Sequence, residues 1–107
     1  MGETDLDIVV VHQPEETVLA LAGELDLATA PKLSETVAAE LRDSPGRIVV
    51  DLAGLTFCDS LGLGTLIVLS RTAQNQNTFL QLRNPRPFFT QMLDITGVRQ
   101  GLNISPE

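Results

Sequence analysis

The chain has no tryptophan and no tyrosine, and only four phenylalanines, one cysteine and one histidine among 107 residues. Each shortage excludes something. One cysteine cannot form an internal disulfide, and with a single histidine no grouping has zinc-ligand spacing. Basic residues are also scarce: 7 Lys and Arg stand against 14 Asp and Glu, a net charge of −7. That balance gives no cationic patch for a nucleic-acid backbone and none for an anionic membrane surface. No apolar run approaches the length of a bilayer span, and no basic-then-apolar opening reads as a signal peptide. The expectation is a soluble cytoplasmic protein with no nucleic-acid or membrane partner. With 43% hydrophobic residues the chain can still build a core. That core must be aliphatic, and a chain of this length buries somewhat under about 70% of its unfolded surface. No repeat, low-complexity tract or linker divides residues 1–107, which are read as one domain.

The organising stretch is Arg47 to Arg71. Arg47 to Leu52 is a short β-branched apolar run, as expected of a strand covered on both faces. Leu61 to Leu69 is longer, nearly all apolar and free of proline, and predicts a helix packed on a sheet and covered on more than one side. Between them Phe57-Cys58-Asp59-Ser60 forms a short loop in which Asp59 or Ser60 caps the helix, since either side-chain oxygen can accept from a free N–H. Ser60 then sits at the carboxyl end of a strand and the positive end of a helix, where open α/β sheets place function. Gly62 and Gly64 each cost about 1 kcal/mol of helix stability relative to alanine. In exchange they leave the first turn unobstructed for an approaching surface.

Around this centre the chain predicts β-β-α-β-α-β-α-β. Met1 to Asp5 is polar and expected to be loose. Leu6 to His12 is a valine-rich strand, Gln13-Pro14-Glu15-Glu16 a turn, and Thr17 to Leu25 a second strand in an antiparallel hairpin. Gly23 marks a bulge or a close backbone approach. Thr29 is the expected cap of a helix with Pro31 in its first turn and an apolar stripe Leu33, Val37, Leu41. Arg42 to Gly46 stops it. Gln74 to Asn77 is a polar connector, Thr78 to Arg83 a strand, and Asn84-Pro85-Arg86-Pro87 opens a last helix carrying Phe88, Phe89, Met92, Leu93 and Ile95. Gly97 suits a left-handed stop, and Leu102-Asn103-Ile104 a short final strand. The class is α/β, a mixed sheet of four or five strands, with parallel pairs where helices intervene.

Chemistry is harder to find. A serine nucleophile needs a base, and the single histidine, His12, lies on the first predicted strand, where a surface or strand-end role suits it better. Ser60 is preceded by Cys58-Asp59, which is not the nucleophile-elbow pattern, so capping is the simpler role. Cys58 near a helix start has a thiolate reading, opposed by Asp59 beside it, and is read as a partly buried structural thiol. Gly62-Leu63-Gly64 begins like a dinucleotide fingerprint, but Ile67 stands where the third glycine belongs. Asp26, Asp51 and Asp59 lack the oxygen-rich loop of a cation site, although Asp26 and Asp59 both follow predicted strands and so share a sheet edge. These residues alone describe a small acidic binding domain that displays a serine at a helix start.

Two segments then carry a resemblance. Gly23-Glu24-Leu25-Asp26, followed by Ala30-Pro31-Lys32-Leu33, resembles the G-E-L/I-D segment of STAS domains, and Phe57 to Gly64 resembles their F-x-D-S-x-G-L-G signature. The chain is similar along nearly its whole length to the bacterial anti-sigma factor antagonists. That resemblance implies a phosphorylation site at Ser60 and a partner-binding set of Asp26, Asp59, Ser60, Leu61, Gly62, Leu63 and Gly64. It implies an anti-sigma factor serine kinase of the histidine-kinase-like ATPase fold as partner, released when Ser60 is phosphorylated, and a phosphoserine phosphatase that resets the switch. The protein itself is then no enzyme and needs no cofactor or metal; a monomer or weak dimer is expected. Leu61 departs from the small or hydroxyl residue common in the family. The family's C-terminal helix after the last strand also has little room before Glu107. The competing expectation is a STAS subunit of a transporter or stress-signalling complex that binds its partner constitutively; the intact Asp59-Ser60 pair favours the switch.

Overall fold

The computed structural model describes residues 5–105, so most of the segment expected to be loose lies outside the described residues. The elements run in the order β1 (Leu6–His12), β2 (Thr17–Leu25), α1 (Ala30–Leu41), β3 (Arg47–Cys58), α2 (Ser60–Asn75), β4 (Phe79–Arg83), α3 (Pro87–Thr96) and a 3-10 turn, Arg99–Gly101. One mixed sheet has the order β1-β2-β3-β4. β1 pairs antiparallel with β2, whereas β2–β3 and β3–β4 are parallel.

Alternation along the strands sorts the residues onto two faces. Leu19, Leu21, Ile48, Val50, Leu52, Leu80 and Leu82 belong to one continuous apolar cluster with Leu33 and Val37 of α1, Leu63, Leu66 and Leu69 of α2, and Phe89 and Leu93 of α3. Such branched aliphatic side chains fill the space between sheet and helices that the missing tryptophan and tyrosine cannot. Val49, on the other face, is fully buried but stands outside that cluster. On that side Arg83 of β4 reaches Glu16, at the start of β2, with two contacts of 3.4 Å that span β3. β3 is therefore covered by helices on one face but on the other only at Val49, with Arg47 and Ala53 exposed, so its apolar run overstates the cover.

Two expectations need correcting. The final strand is reduced to the 3-10 turn and a single parallel bridge between Ile104 and Leu82, because buried Leu102 turns into the core instead of continuing a ladder. β3 does not end at Leu52 but runs to Cys58, so only Asp59 separates it from α2. α2 packs on the sheet and on α1, so it is covered on more than one side as expected, while Leu61 and Val68 on its remaining face are more than half exposed. Within α3, Phe89 and Leu93 are buried while Ile95 faces solvent, and Gly97 stops the helix at φ 73°, as a residue without Cβ can.

The extra length of β3 is absorbed by two irregularities. Between Ala20↔Asp51 and Ala22↔Gly54, and again between Gly23↔Leu55 and Glu24↔Phe57, β3 carries one residue more than β2. The displaced groups are satisfied locally: the Asp51 carboxylate accepts from Ala53 N, and Thr56 donates its hydroxyl to Gly23 O. Gly23 itself, at φ 118°, lets the chain pass within contact of the Asp5 carbonyl, where a Cβ would come to 2.3 Å. Bulges bend a strand and re-aim the residues beyond the bend; here they bring β2 and β3 back into step at Leu25↔Cys58, just before the two aspartates.

Candidate functional site

Leu25 and Cys58 are paired last residues of neighbouring parallel strands, so Asp26 and Asp59 leave the same end of the sheet side by side. The two exits are tied together where Asp59 N donates to Leu25 O at 3.2 Å. Each aspartate then leads into a helix, by different means.

At the first exit the turn is closed on itself. The Asp26 carboxylate accepts from Ala28 N and Thr29 N at 3.0 and 3.1 Å. Thr29, buried, receives Asp26 N on its hydroxyl oxygen and donates that hydroxyl to Glu24 O at 2.7 Å. Thr29 occupies the cap position of α1, but its hydroxyl makes no capping bond to the helix; its groups are spent on the strand end instead. That corrects the expectation of a Thr29 side-chain cap, and it gives Asp26 a turn-building role.

At the second exit Asp59, not Ser60, is the cap. Its backbone is extended, its carboxylate accepts from Gly62 N at 2.8 Å, and its carbonyl takes the first intrahelical bond from Leu63 N. Ser60 becomes the first helical residue. Its side chain is exposed and its hydroxyl has no partner within the described residues. The backbone N–H groups of a first helical turn point outward without intrahelical acceptors, so Ser60 lies at the positive end of the α2 dipole.

The predicted partner-facing residues divide. Ser60 and Leu61 face solvent, and Gly64 has open space where a Cβ would stand. Gly62 and Leu63 turn inward, which corrects their assignment to a contact surface. A Cβ on Gly62 would meet Leu25 O at 2.5 Å, so this glycine lets α2 close onto the end of β2. Leu63 is 4% exposed and part of the core. Ser60, Leu61, Gly64, Thr65 and Val68 line a shallow groove of about 330 Å³ with Ser34 of α1. Thr65 and Val68 escaped the sequence reading, although Leu61 and Val68 lie seven residues apart and so share a helix face. Ser34 had no signal, because only the packing of α1 beside α2 brings it there. Exposed Leu27 and Phe57 flank the same end of the sheet. A larger cleft of about 610 Å³ lies elsewhere, between the β4–α3 turn and residues near Ile104, and does not include Ser60.

Ser60 has no histidine to activate it. β1 runs antiparallel to β2 with His12 opposite Thr17, so His12 lies at the far end of the sheet, where its Nε2 meets Glu40 Oε1 at 2.7 Å. Cys58 is buried, and its thiol is pushed up to about 12, first by burial and then by the charge of Asp59; a thiol so held is a poor nucleophile. Among the described residues no cluster of His, Cys, Asp or Glu fits a metal ion, and no helix is long and apolar enough to cross a membrane.

The family described as "Mlab, STAS domain" matches residues 8–104. The chain belongs to the STAS-domain family. Its relatives include the anti-sigma-B factor antagonist of Bacillus subtilis, 26% identical over 101 residues covering 94% of this chain and 92% of that one. The anti-sigma-F factor antagonist RsfB of Mycobacterium tuberculosis is 34% identical over 65 residues, 61% of this chain and 53% of that one. In fold the chain is similar to an anti-sigma factor antagonist from Mycobacterium paratuberculosis, with a TM-score of 0.84 and 25% identity over 96% of this chain and 87% of that one. The unphosphorylated form of SpoIIAA, at TM-score 0.74, 20% identity and coverage of 96% of this chain and 90% of that one, shares the fold.

Proposed function

We propose that this STAS domain is an anti-sigma factor antagonist of the cytoplasm. In its unphosphorylated form it binds an anti-sigma factor that is also a serine kinase, so that the sigma factor is freed. The kinase then transfers the γ-phosphoryl group of its own ATP to Ser60 Oγ, and a phosphoserine phosphatase restores the binding form. The observation that carries this reading is the unpartnered, exposed hydroxyl of Ser60 at the start of α2, beside a groove with apolar Leu61 and Val68 on its wall. The relatives named as anti-sigma factor antagonists support it.

The switch works by charge at a surface. Phosphorylation adds about −1.5 to −2 charge at neutral pH. The outward N–H groups of the first turn of α2 tolerate that charge, so the domain keeps its fold. Asp59 next to it and Asp26 at the adjoining strand exit oppose further burial of negative charge. Two charges at about 6 Å from one carboxylate cost roughly 1–5 kcal/mol as the effective dielectric falls from 80 to 20. The free protein stands near the low end and a closed, desolvated interface near the high end.

Mass spectrometry after incubation with the partner kinase and ATP should place the phosphate on Ser60. By calorimetry Ser60→Ala should bind the partner, and Ser60→Asp should lose about a hundredfold in affinity, roughly 3 kcal/mol, with an unchanged melting temperature. Phosphate on Thr29 or Thr65 with Ser60 empty, or a Ser60→Asp variant that binds as well as wild type, would overturn the reading.

A further inference from the structure

We propose that two copies of this chain pair antiparallel through β1, centred on Val10, into one continuous eight-stranded sheet. The inference does not rest on the function of Ser60. It starts from the unequal treatment of the two edges of the sheet. The β4 edge is closed by the chain itself: Leu82 N donates to Asn103 O, Ser105 N to Leu82 O, and Asn103 Nδ2 to Leu80 O. Among the described residues no backbone segment covers the β1 edge, and only the Leu6 carbonyl at one end of it is taken, by Lys32 of α1.

The hairpin bonds say which β1 groups are free. Glu24 N donates to Asp5 O, and Gln13 N to Glu16 O. Both are hydrogen-bonded pairs of one register, so the odd-numbered residues of β1 face β2 and the even-numbered ones face outward. Lys32 Nζ confirms the phase by reaching Leu6 O from the open side at 2.6 Å. The groups left for another strand are the N–H and C=O of Ile8, Val10 and His12. Natural edges are blunted by lysine, proline or bulges. β1 contains none of these; its one carboxylate is Asp7, its ladder with β2 has no register shift, and its open-face side chains Val9 and Val11 are 59% and 43% exposed.

The occupant is a second copy because β1 complements itself. About a two-fold axis at Val10, Val10 pairs with Val10, and Ile8 with His12, of the other copy, each pair exchanging two N–H···O bonds. Val9 meets Val11 of the other copy, which makes one valine patch on the open face. Asp7 falls opposite Gln13, and like charges meet only at the two ends of the junction, where Asp5 falls opposite Glu15 of the other copy. Leu6 falls opposite Pro14, which has no N–H, and the Leu6 carbonyl is the one that Lys32 already satisfies. A register centred on Val9 would instead require Lys32 to leave that carbonyl. The junction is offset toward the end of the sheet away from Ser60, so both Ser60 grooves remain open.

One strand pair is a small interface, and two chains of charge −7 repel. The dimer should therefore be weak and should tighten with salt, since screening removes repulsion while the bonds persist. Sedimentation of the intact chain from about 10 µM to about 1 mM, a range that spans weak interfaces, should show a dimer that is at least about tenfold tighter in 0.5 M than in 0.02 M salt. Amide exchange should show Ile8, Val10 and His12 becoming protected with concentration, while Val9 and Val11 are protected throughout. Val10→Pro removes the central donor without touching the β1–β2 ladder and should abolish the dimer. If that variant fails to fold, Val9→Lys with Val11→Lys sets like charges opposite one another at exposed positions and should do the same. A monomer at all concentrations and salts overturns the proposal, as does a dimer unaffected by a folded variant or one whose concentration-dependent protection maps to α2.

Discussion

The two aspartate junctions are a comparison within one molecule. Both are Asp residues that follow paired strand ends, both lead into a helix, and both have a hydroxyl residue within the next three positions. At Asp26 the carboxylate closes the turn through Oδ1 and the Thr29 hydroxyl is buried against the strand. At Asp59 the carboxylate caps one helical N–H and stops there, which leaves the Ser60 hydroxyl outside the network. A hydroxyl that the fold does not use can be modified without cost to the fold. The difference lies in spacing, because Thr29 is three residues after its aspartate and folds back on it, while Ser60 is adjacent and cannot.

The sharpest way to break the comparison is at the point where the junctions touch. Gly62→Ala should destabilise the protein by about 1–3 kcal/mol, as overpacking against fixed backbone does, because its Cβ would press on Leu25 O at 2.5 Å. Gly64→Ala, two residues on, should stabilise it by about 1 kcal/mol through helix propensity, since nothing lies within 4 Å of its Cβ. Denaturant melts of the pair would decide; equal effects would mean that α2 does not close on β2 as described. Next in size, Asp26→Ala should cost about 1–2 kcal/mol, the loss of a cap-like carboxylate, whereas Ser60→Ala should change stability by less than about 0.5 kcal/mol. A stability loss at Ser60 equal to that at Asp26 would show that the serine is structural.

At neutral pH no effect is expected from the titration of Cys58, which acts only in alkaline solution. Its folded-state value, about 12, lies above the ordinary 9.0. The unfolded chain therefore loses its proton first as pH rises, and unfolding is favoured from about pH 9 upward. The contribution is complete below pH 9 and falls by about 1.4 kcal/mol per pH unit toward 12. Urea melts of wild type and Cys58→Ala across that window should diverge in slope, and the native thiol should resist iodoacetamide at pH 8. Rapid alkylation of the folded protein would contradict its burial.

Much of this was legible in the residues. β1 and β2 fall where alternation and the Gln13–Glu16 turn put them, α1 follows its Leu33, Val37, Leu41 stripe, and Gly97 ends α3. These are local patterns, set by side-chain period and by the backbone freedom of single residues. The stretch around Asp59 and Ser60 also marked itself as a helix start following a strand. The sequence by itself thus determined the element order as far as α3 and the mixed sheet.

Other features were decided only by tertiary structure. β3 extends to Cys58 because bulges against β2 absorb the extra residues, and no local signal distinguishes a bulged strand from a strand followed by a loop. Gly62 and Gly64 look alike in sequence and differ because one faces the Leu25 carbonyl and the other faces solvent. Ser34 joins the groove only because α1 lies beside α2. Asp59 rather than Ser60 became the cap once its backbone N–H was held by Leu25 O. In each case the deciding contact joins residues far apart in the chain, and such contacts exist only after the strands have paired.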